Sequence, residues 1–242
     1  MKYCSLLILT MLLSGFTMYA QNPSEIVTDR PDQTDGAYVL LKNYLQVENG
    51  ILFNKSGVLN NFMVRYGYSE SGEFRCAVDV GRINSNFSIF PVQFSAKQRL
   101  FNQSGAIPLV TLIGYLNFGP IASANVKSNE IEGALLLAFQ HELNDAMAFE
   151  WNLGSQSFRN DLKFTLLFSY KIFNRLTTFV EYFSDFNKSS KPVHNADVGV
   201  LYAASNHLSL DVGFGSTLDS SFSKAIFLTL GASYRFFPGK SL

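Results

Sequence analysis

Charged side chains of both signs recur at every second position along several stretches of this sequence. The basic set is Arg65, Arg75, Lys97, Arg99, Lys163, Lys171 and Arg235, and the acidic set is Glu48, Asp79, Glu132, Glu150, Glu181, Asp185, Asp197 and Asp211. Residues two apart on an extended chain share a face, so these groups line one surface and can meet across it. A set of one sign would select ions. The near balance here favours cross-pairing between walls instead. A second cluster sits near the start, where Asp29, Arg30, Asp32 and Asp35 flank Pro31 in a stretch too charged for a buried strand. Arg30 could pair with Glu48 or Asp211, and the three carboxylates could face Arg65, Arg75 or Arg99. Solvated pairs of this kind contribute little singly, so a docked segment would need several at once.

Catalysis finds no comparable cluster. The histidines are His141, His194 and His207. His207 falls in a short turn, His194 in a loop after Pro192, and His141 at an outward strand end. A hydrolytic site needs a nucleophile, a base and an orienting group within hydrogen-bond reach, and no such trio emerges. No HExxH or other metal spacing occurs. The expectation is no catalytic residue, no metal and no cofactor. The formal charge is zero, which speaks against nucleic acid as a partner.

The elements that must position these charges are strands. In Glu73–Arg82, Phe74, Cys76, Val78 and Val80 fall on one face and Arg75, Ala77 and Asp79 on the other. Leu208–Ser216 repeats the pattern. The strands expected are Tyr44–Phe53, Phe62–Ser69, Glu73–Arg82, Val92–Phe101, Ile107–Asn117, Ile131–Glu142, Met147–Ser155, Leu162–Lys171, Thr177–Asp185, Ala196–Ala204, Leu208–Ser216 and Ala225–Phe236. Most match the 9–11 residues of a tilted membrane strand. Short turns such as Glu70–Gly72 and Ser205–His207 alternate with longer polar loops such as Phe118–Glu130 and Phe186–Asn195, as in bacterial membrane barrels. Prolines 91, 108, 120, 192 and 238 stay in loops or at strand ends. Tyr68, Tyr170, Tyr202 and Tyr234 fall outward near one end, where amphipathic rings collect at a membrane surface. A soluble sandwich would carry the same alternation, but its strands run shorter.

Residues 1–20 read as a cleaved signal peptide, with Lys2 ahead of an apolar stretch too short to span a bilayer. Cys4 lies within it, which leaves Cys76 as the single cysteine of the mature chain. Residues 21–43 are expected to form a periplasmic arm or a plug inside the barrel mouth. Residues 44–242 are expected to form an all-β transmembrane antiparallel barrel of about twelve strands. Its final strand sets Leu228, Leu230, Ala232, Tyr234 and Phe236 on one face, similar to the strand that barrel-assembly machinery recognises.

The stretch from Thr28 to Asp35 (TDRPDQTD), followed by Tyr44-Leu45-Gln46-Val47-Glu48, resembles the outer-membrane transporter family named for the meta-pathway of phenol degradation. Arg65-Tyr66-Gly67, Lys97-Gln98-Arg99, the stretch from Tyr202 through Asp211 to Gly215, and Tyr234-Arg235-Phe236 follow in the expected order. The resemblance implies a barrel and suggests transport, without making phenol the solute. The chain departs from the family at Asp35, where Glu is usual, at Asn49-Gly50 and at Phe118-Gly119-Pro120. The expected role is a channel in the outer membrane of a Gram-negative bacterium. It would pass a small solute, with apolar and aromatic ones as candidates. Its partners would be outer-membrane lipid and the assembly machinery. The alternative is a structural or adhesive barrel with a closed lumen.

Overall fold

The structure is a computed structural model that describes residues 25–155, 161–218 and 226–236. The signal-peptide reading of residues 1–20 and the tail beyond Phe236 lie outside the described residues.

The strands are β1 (Leu45–Asn54), β2 (Gly57–Ser69), β3 (Gly72–Ile83), β4 (Asn86–Ile89), β5 (Val92–Phe101), β6 (Leu109–Phe118), β7 (Ile131–Asn144), β8 (Met147–Ser155), β9 (Asp161–Phe173), β10 (Leu176–Asn187), β11 (Val193–Ala203), β12 (Leu208–Thr217) and β13 (Ile226–Phe236). Each pairs antiparallel with its neighbour in sequence, β3 passes over β4 to pair with β5, and β1 closes the wall against β13. The result is a closed barrel of twelve wall strands, with the four-residue β4 folded back on the far end of β3. Closure leaves no open sheet edge in the wall, which a spanning sheet requires because the hydrocarbon offers no partner for backbone groups.

Alternation within each strand turns the usual protein inside out. Phe74, Phe94, Leu135, Val198, Leu228 and Leu230 are exposed on the outer surface. Glu48, Arg65, Lys97, Asn152, Thr165 and Glu181 are buried within. In water this arrangement would place the apolar side chains where they gain nothing and the charges where desolvation is costly. In lipid the outer apolar face finds its solvent while the charges stay paired within, and the fold is a transmembrane β-barrel. Tyr66, Tyr170, Tyr202 and Tyr234 are exposed near the end where the chain enters β1 and leaves β13. Tyr68 lies at the same level, stacked on Phe74 at 4.5 Å.

The structure corrects several boundaries. β2 begins five residues before the expected Phe62, so the β1–β2 turn is only Lys55-Ser56. Asn60 hid this, because it occupies an outward position that alternation reserves for apolar residues. Its amide is shared with Asn49 on β1, at 3.0 and 3.2 Å in the two directions, so the pair is satisfied without water. β6 starts at Leu109, not Ile107, because Pro108 between them has no N–H for the ladder. His194 stands in β11 and not in a loop.

Cys76 is a free thiol on the outer face, cross-strand from Val64 and Phe94. It is expected to resist a bulky water-soluble maleimide in lipid vesicles and to react once the barrel is unfolded. Rapid labelling of the intact barrel would reverse the assigned parity of β3.

Candidate functional site

The chain from Glu25 to Asn43 lies inside the lumen, entering and leaving at the end where β1 begins. At the mouth, Glu25 pairs with Lys171 at 3.0 Å, and the Val27 carbonyl accepts from the Gln46 amide at 2.8 Å. Farther in, the Asp29 N–H donates to Glu48, and the Gln33 N–H donates to Glu181 at 2.9 Å. Thr34 Oγ1 reaches Glu181 at 2.5 Å and Thr165 at 2.8 Å. Asn152 closes a two-way contact with the Asp35 backbone, accepting from its N–H at 2.7 Å and donating to its carbonyl at 2.9 Å. On the return, Thr111 donates to the Ala37 carbonyl, and Tyr38 and the Leu40 N–H donate to Glu142 and Glu73. Ala37 also packs against Leu109, Ile113, Leu136 and Ala138.

Asp29 is the electrostatic centre. Its carboxylate lies 2.7 Å from Lys97, 2.9 Å from Arg75 and 3.4 Å from Arg65. Arg65 also holds Glu48 at 2.8 Å and Glu73 at 3.0 Å, and Arg75 holds Asp35 at 2.6 Å. Three wall cations thus face two wall carboxylates, and the segment supplies Asp29 and Asp35 to complete the set. Burial pushes the Asp29 carboxyl up, but Arg65, Lys97 and Arg75 outweigh it and hold the group far below its ordinary value. Asp35 is likewise lowered, with Arg75 and Lys97 overcoming burial.

Arg30 points to the opposite wall. Its guanidinium donates to Thr229 at 2.8 Å and pairs with Asp211 at 3.3 Å. It occupies a slot made by Gly50 and Gly231, which face each other across β1 and β13. A Cβ on Gly50 would fall 1.9 Å from the guanidinium carbon, and one on Gly231 would fall 2.5 Å from Arg30 Nε, so both positions must lack a side chain.

Asp32 departs from expectation. It does not face Arg65, Arg75 or Arg99, but sits among Glu181, Glu150 and Asp197. Burial first, then those three carboxylates and Asp29, push its carboxyl well above the ordinary value. The two signs have opposite consequences. Docking contributed by Asp29 and Asp35 is present above the ordinary carboxylate value and is lost only as pH falls through their lowered values. The contribution of Asp32 is present at low pH and is lost as pH rises through its raised value. If the barrel conducts, its open fraction in planar bilayers is therefore expected to grow as pH rises through that raised value, and Asp32→Asn to flatten that growth. An unchanged pH profile in the variant would reject the assignment.

The other wall charges divide by position. Asp79 accepts from Asn61 at 2.6 Å and, with Glu132 and Lys163, lines a vestibule of about 630 Å³ beyond the tip of the segment. Arg99 and Arg235 sit at the terminal rim, on the carbonyls of Glu70 and Asn206, and Arg235 also lies over the Tyr44 ring at 5.4 Å. Lys171 joins them there through Glu25, while Asp185 is exposed near the far end of β10. Glu150, Glu181, Asp197 and Asp211 stand on β8, β10, β11 and β12, facing the cationic wall of β2, β3 and β5.

Glu73, Gln46, Asn152, Thr165, Thr111 and Tyr115 also contact the segment or its partners and were not singled out by the sequence reading. The signal was present for several. Glu73 has the parity of Arg75, Asn152 that of Glu150, and Thr165 that of Lys163. On the outer face, the Ser184 hydroxyl lies 3.0 Å from His194 Nδ1, but Ser184 is buried and donates to the Val193 carbonyl. It is not placed to attack a solute.

Solved structures of outer-membrane channels and porins share the fold, three of them as follows. A COG4313 outer membrane channel from Pseudomonas putida F1 superposes with a TM-score of 0.67 over 86% of this chain and 100% of its own, at 11% identity. The KdgM porin gives 0.64 over 79% and 99%, at 11% identity, and the NanC porin 0.58 over 78% and 98%, at 9%. No curated protein matches the sequence directly. A family model does, from the TDRPD segment to the last described residue of β13. The chain belongs to the family described as "Putative MetA-pathway of phenol degradation", whose model matches residues 28–236.

Proposed function

We propose that this chain is a channel for passive passage of a small solute across the outer membrane of a Gram-negative bacterium, with Thr28–Asp35 as its plug. The observation that carries the reading is that space lies on both sides of the segment. The vestibule of about 630 Å³ and a second cavity of about 280 Å³ share Arg30, Asp32 and Thr34 as lining. The segment, and not the wall side chains, thus separates the two halves of the lumen. Leu52, Leu59, Met63 and Phe227 give the vestibule apolar patches beside its charges. That mixture suits a solute with an apolar or aromatic part. Outer-membrane lipid and the barrel-assembly machinery are the partners this reading needs, and it assigns no catalytic residue.

A structural barrel with a closed lumen is favoured by one feature, the density of contacts around Asp29. The two readings separate in planar bilayers. A channel gives discrete conductance steps from purified protein and swelling of vesicles loaded with small solutes. A closed barrel gives neither, and silence of both the wild type and a correctly assembled Thr28–Asp35 deletion would reject the channel.

A further inference from the structure

The smaller cavity lies between the segment and the terminal mouth. Among its lining residues are Asp32, Gln140, Glu150, Leu167, Phe179 and Leu201. Gln140 and Glu150 are direct cross-strand partners on β7 and β8, so their side chains stand side by side. Glu181 and Asp197 are partners on β10 and β11, close enough to act on Asp32. Acidic groups from three walls and from the segment therefore converge near one level of the lumen. Lys97 acts on Glu150 and Lys163 on Glu181, but no cation acts on Asp32 as strongly as its carboxylate neighbours. Arg75 and Lys97 hold Asp29, Arg30 holds Asp211, Lys171 holds Glu25, and Arg175 donates to the Ala204 carbonyl at 3.1 Å. Lys163 acts on both Glu181 and Asp35.

A second observation is independent of the charges. Gln140 is 6% exposed, and its Oε1 has no hydrogen-bond partner among the described residues. Asp197, 5% exposed, stands against the Glu181 carboxyl, its cross-strand partner. The Gln140 orphan is an acceptor, and a buried acceptor left unmade is costly. What Asp32 and Gln140 lack is a donor that is also positive.

We propose that Asp32, Glu150 and Gln140, backed by Glu181 and Asp197, form a subsite for a small organic cation, a protonated primary amine. An ammonium group carries three N–H donors and no acceptor, which matches a set of carboxylates and an amide oxygen. Leu167, Phe179 and Leu201 flank the acidic groups and offer an apolar wall to a short alkyl chain. The cation also relieves the like-charge crowding at Asp32 that otherwise has to be met by protons.

The subsite takes its ligand from the lumen and so rests on the channel reading, but binding is measured apart from conduction. The experiment titrates detergent-solubilised full-length protein with n-butylammonium by calorimetry, with n-butanol and butanoate as uncharged and anionic probes of the same length. Saturable binding of butylammonium alone is expected, weakened about tenfold by Asp32→Asn and by Glu150→Gln, each of which removes one charge-assisted contact. Equal binding of butanol, or wild-type affinity in both variants, overturns the subsite. Should Asp32→Asn fail to assemble, Glu150→Gln and the three-probe comparison on the wild type decide the matter. Amine binding by a barrel that never conducts keeps the subsite and rejects the channel. Conduction with no amine binding does the reverse.

Discussion

Deleting Thr28–Asp35 should raise single-channel conductance several-fold while the barrel still assembles. The segment bears on the lumen at mid-height, and its carbonyls and N–H groups are bound to side chains of the wall, not to the ladder. The ladder itself closes through β1 and β13 and uses no residue of the segment. Removing Asp29 and Asp35 leaves Arg65, Arg75 and Lys97 facing Glu48 and Glu73 alone. In a dry interior an uncompensated buried charge would be strongly destabilising. Here water fills the space the segment vacates, and the cations become solvated pore charges. The deletion should therefore move the reversal potential toward anions as well as raise conductance. Residues 36–43 stay in place through Ala37, Tyr38 and Leu40, so opening is confined to the centre. Arg30→Ala should give a smaller change of the same sign, because it releases one anchor at Asp211 and Thr229. Unchanged conductance in a deletion variant with native electrophoretic mobility would reduce the segment to a tether.

The wall was legible because period two is imposed by the backbone. Glu73–Arg82 alternates as a strand must when one side meets lipid, and the structure places Phe74 outward and Arg75 inward. Alternation fails where a polar residue is satisfied laterally. Asn60 in β2 breaks the apolar row, yet its bond to Asn49 depends on register across β1, which no single segment encodes. β4 was hidden for a different reason. Four residues inside a polar loop carry too little pattern, and Asn86–Ile89 becomes a strand only because the end of β3 offers it a ladder.

The site was legible in its cast and not in its pairing. Arg30 with Asp211, and Asp29 and Asp35 with Arg75, follow from opposite charge alone. Asp32 does not, because charge matching would send every carboxylate to a cation. Its position follows from chain geometry. Asp29 and Asp35 are both drawn to Arg75 on one wall, and Arg30 is drawn to the β1–β13 slot. The tip between them is then carried toward β8, β10 and β11, whose inward residues are acidic. Such a constraint needs the strands' order around the barrel, which emerges only when β13 meets β1.

Two adjacent substitutions in β3 test the membrane reading most directly. Val78 pairs with Phe62 on β2 and shares the outer face with Phe74 and Val80. Ala77 pairs with Met63 and Gln93 and lines the vestibule with Arg75 and Asp79. An arginine on the lipid face near the bilayer midplane costs about 2–4 kcal/mol. The same side chain in the vestibule keeps its water and has Asp79 two residues along the strand. Val78→Arg is thus expected to lower urea stability in lipid vesicles sharply or to block assembly. Ala77→Arg should assemble normally and shift ion selectivity toward anions. A soluble sandwich with a greasy core would also reject Val78→Arg, so the solvent is the control. That sandwich folds in plain buffer, whereas this barrel, with Phe74, Phe94, Val198 and Leu230 facing outward, needs detergent or lipid. Equal behaviour of the two variants, or a folded monomer without amphiphile, would overturn the assignment of the outer face.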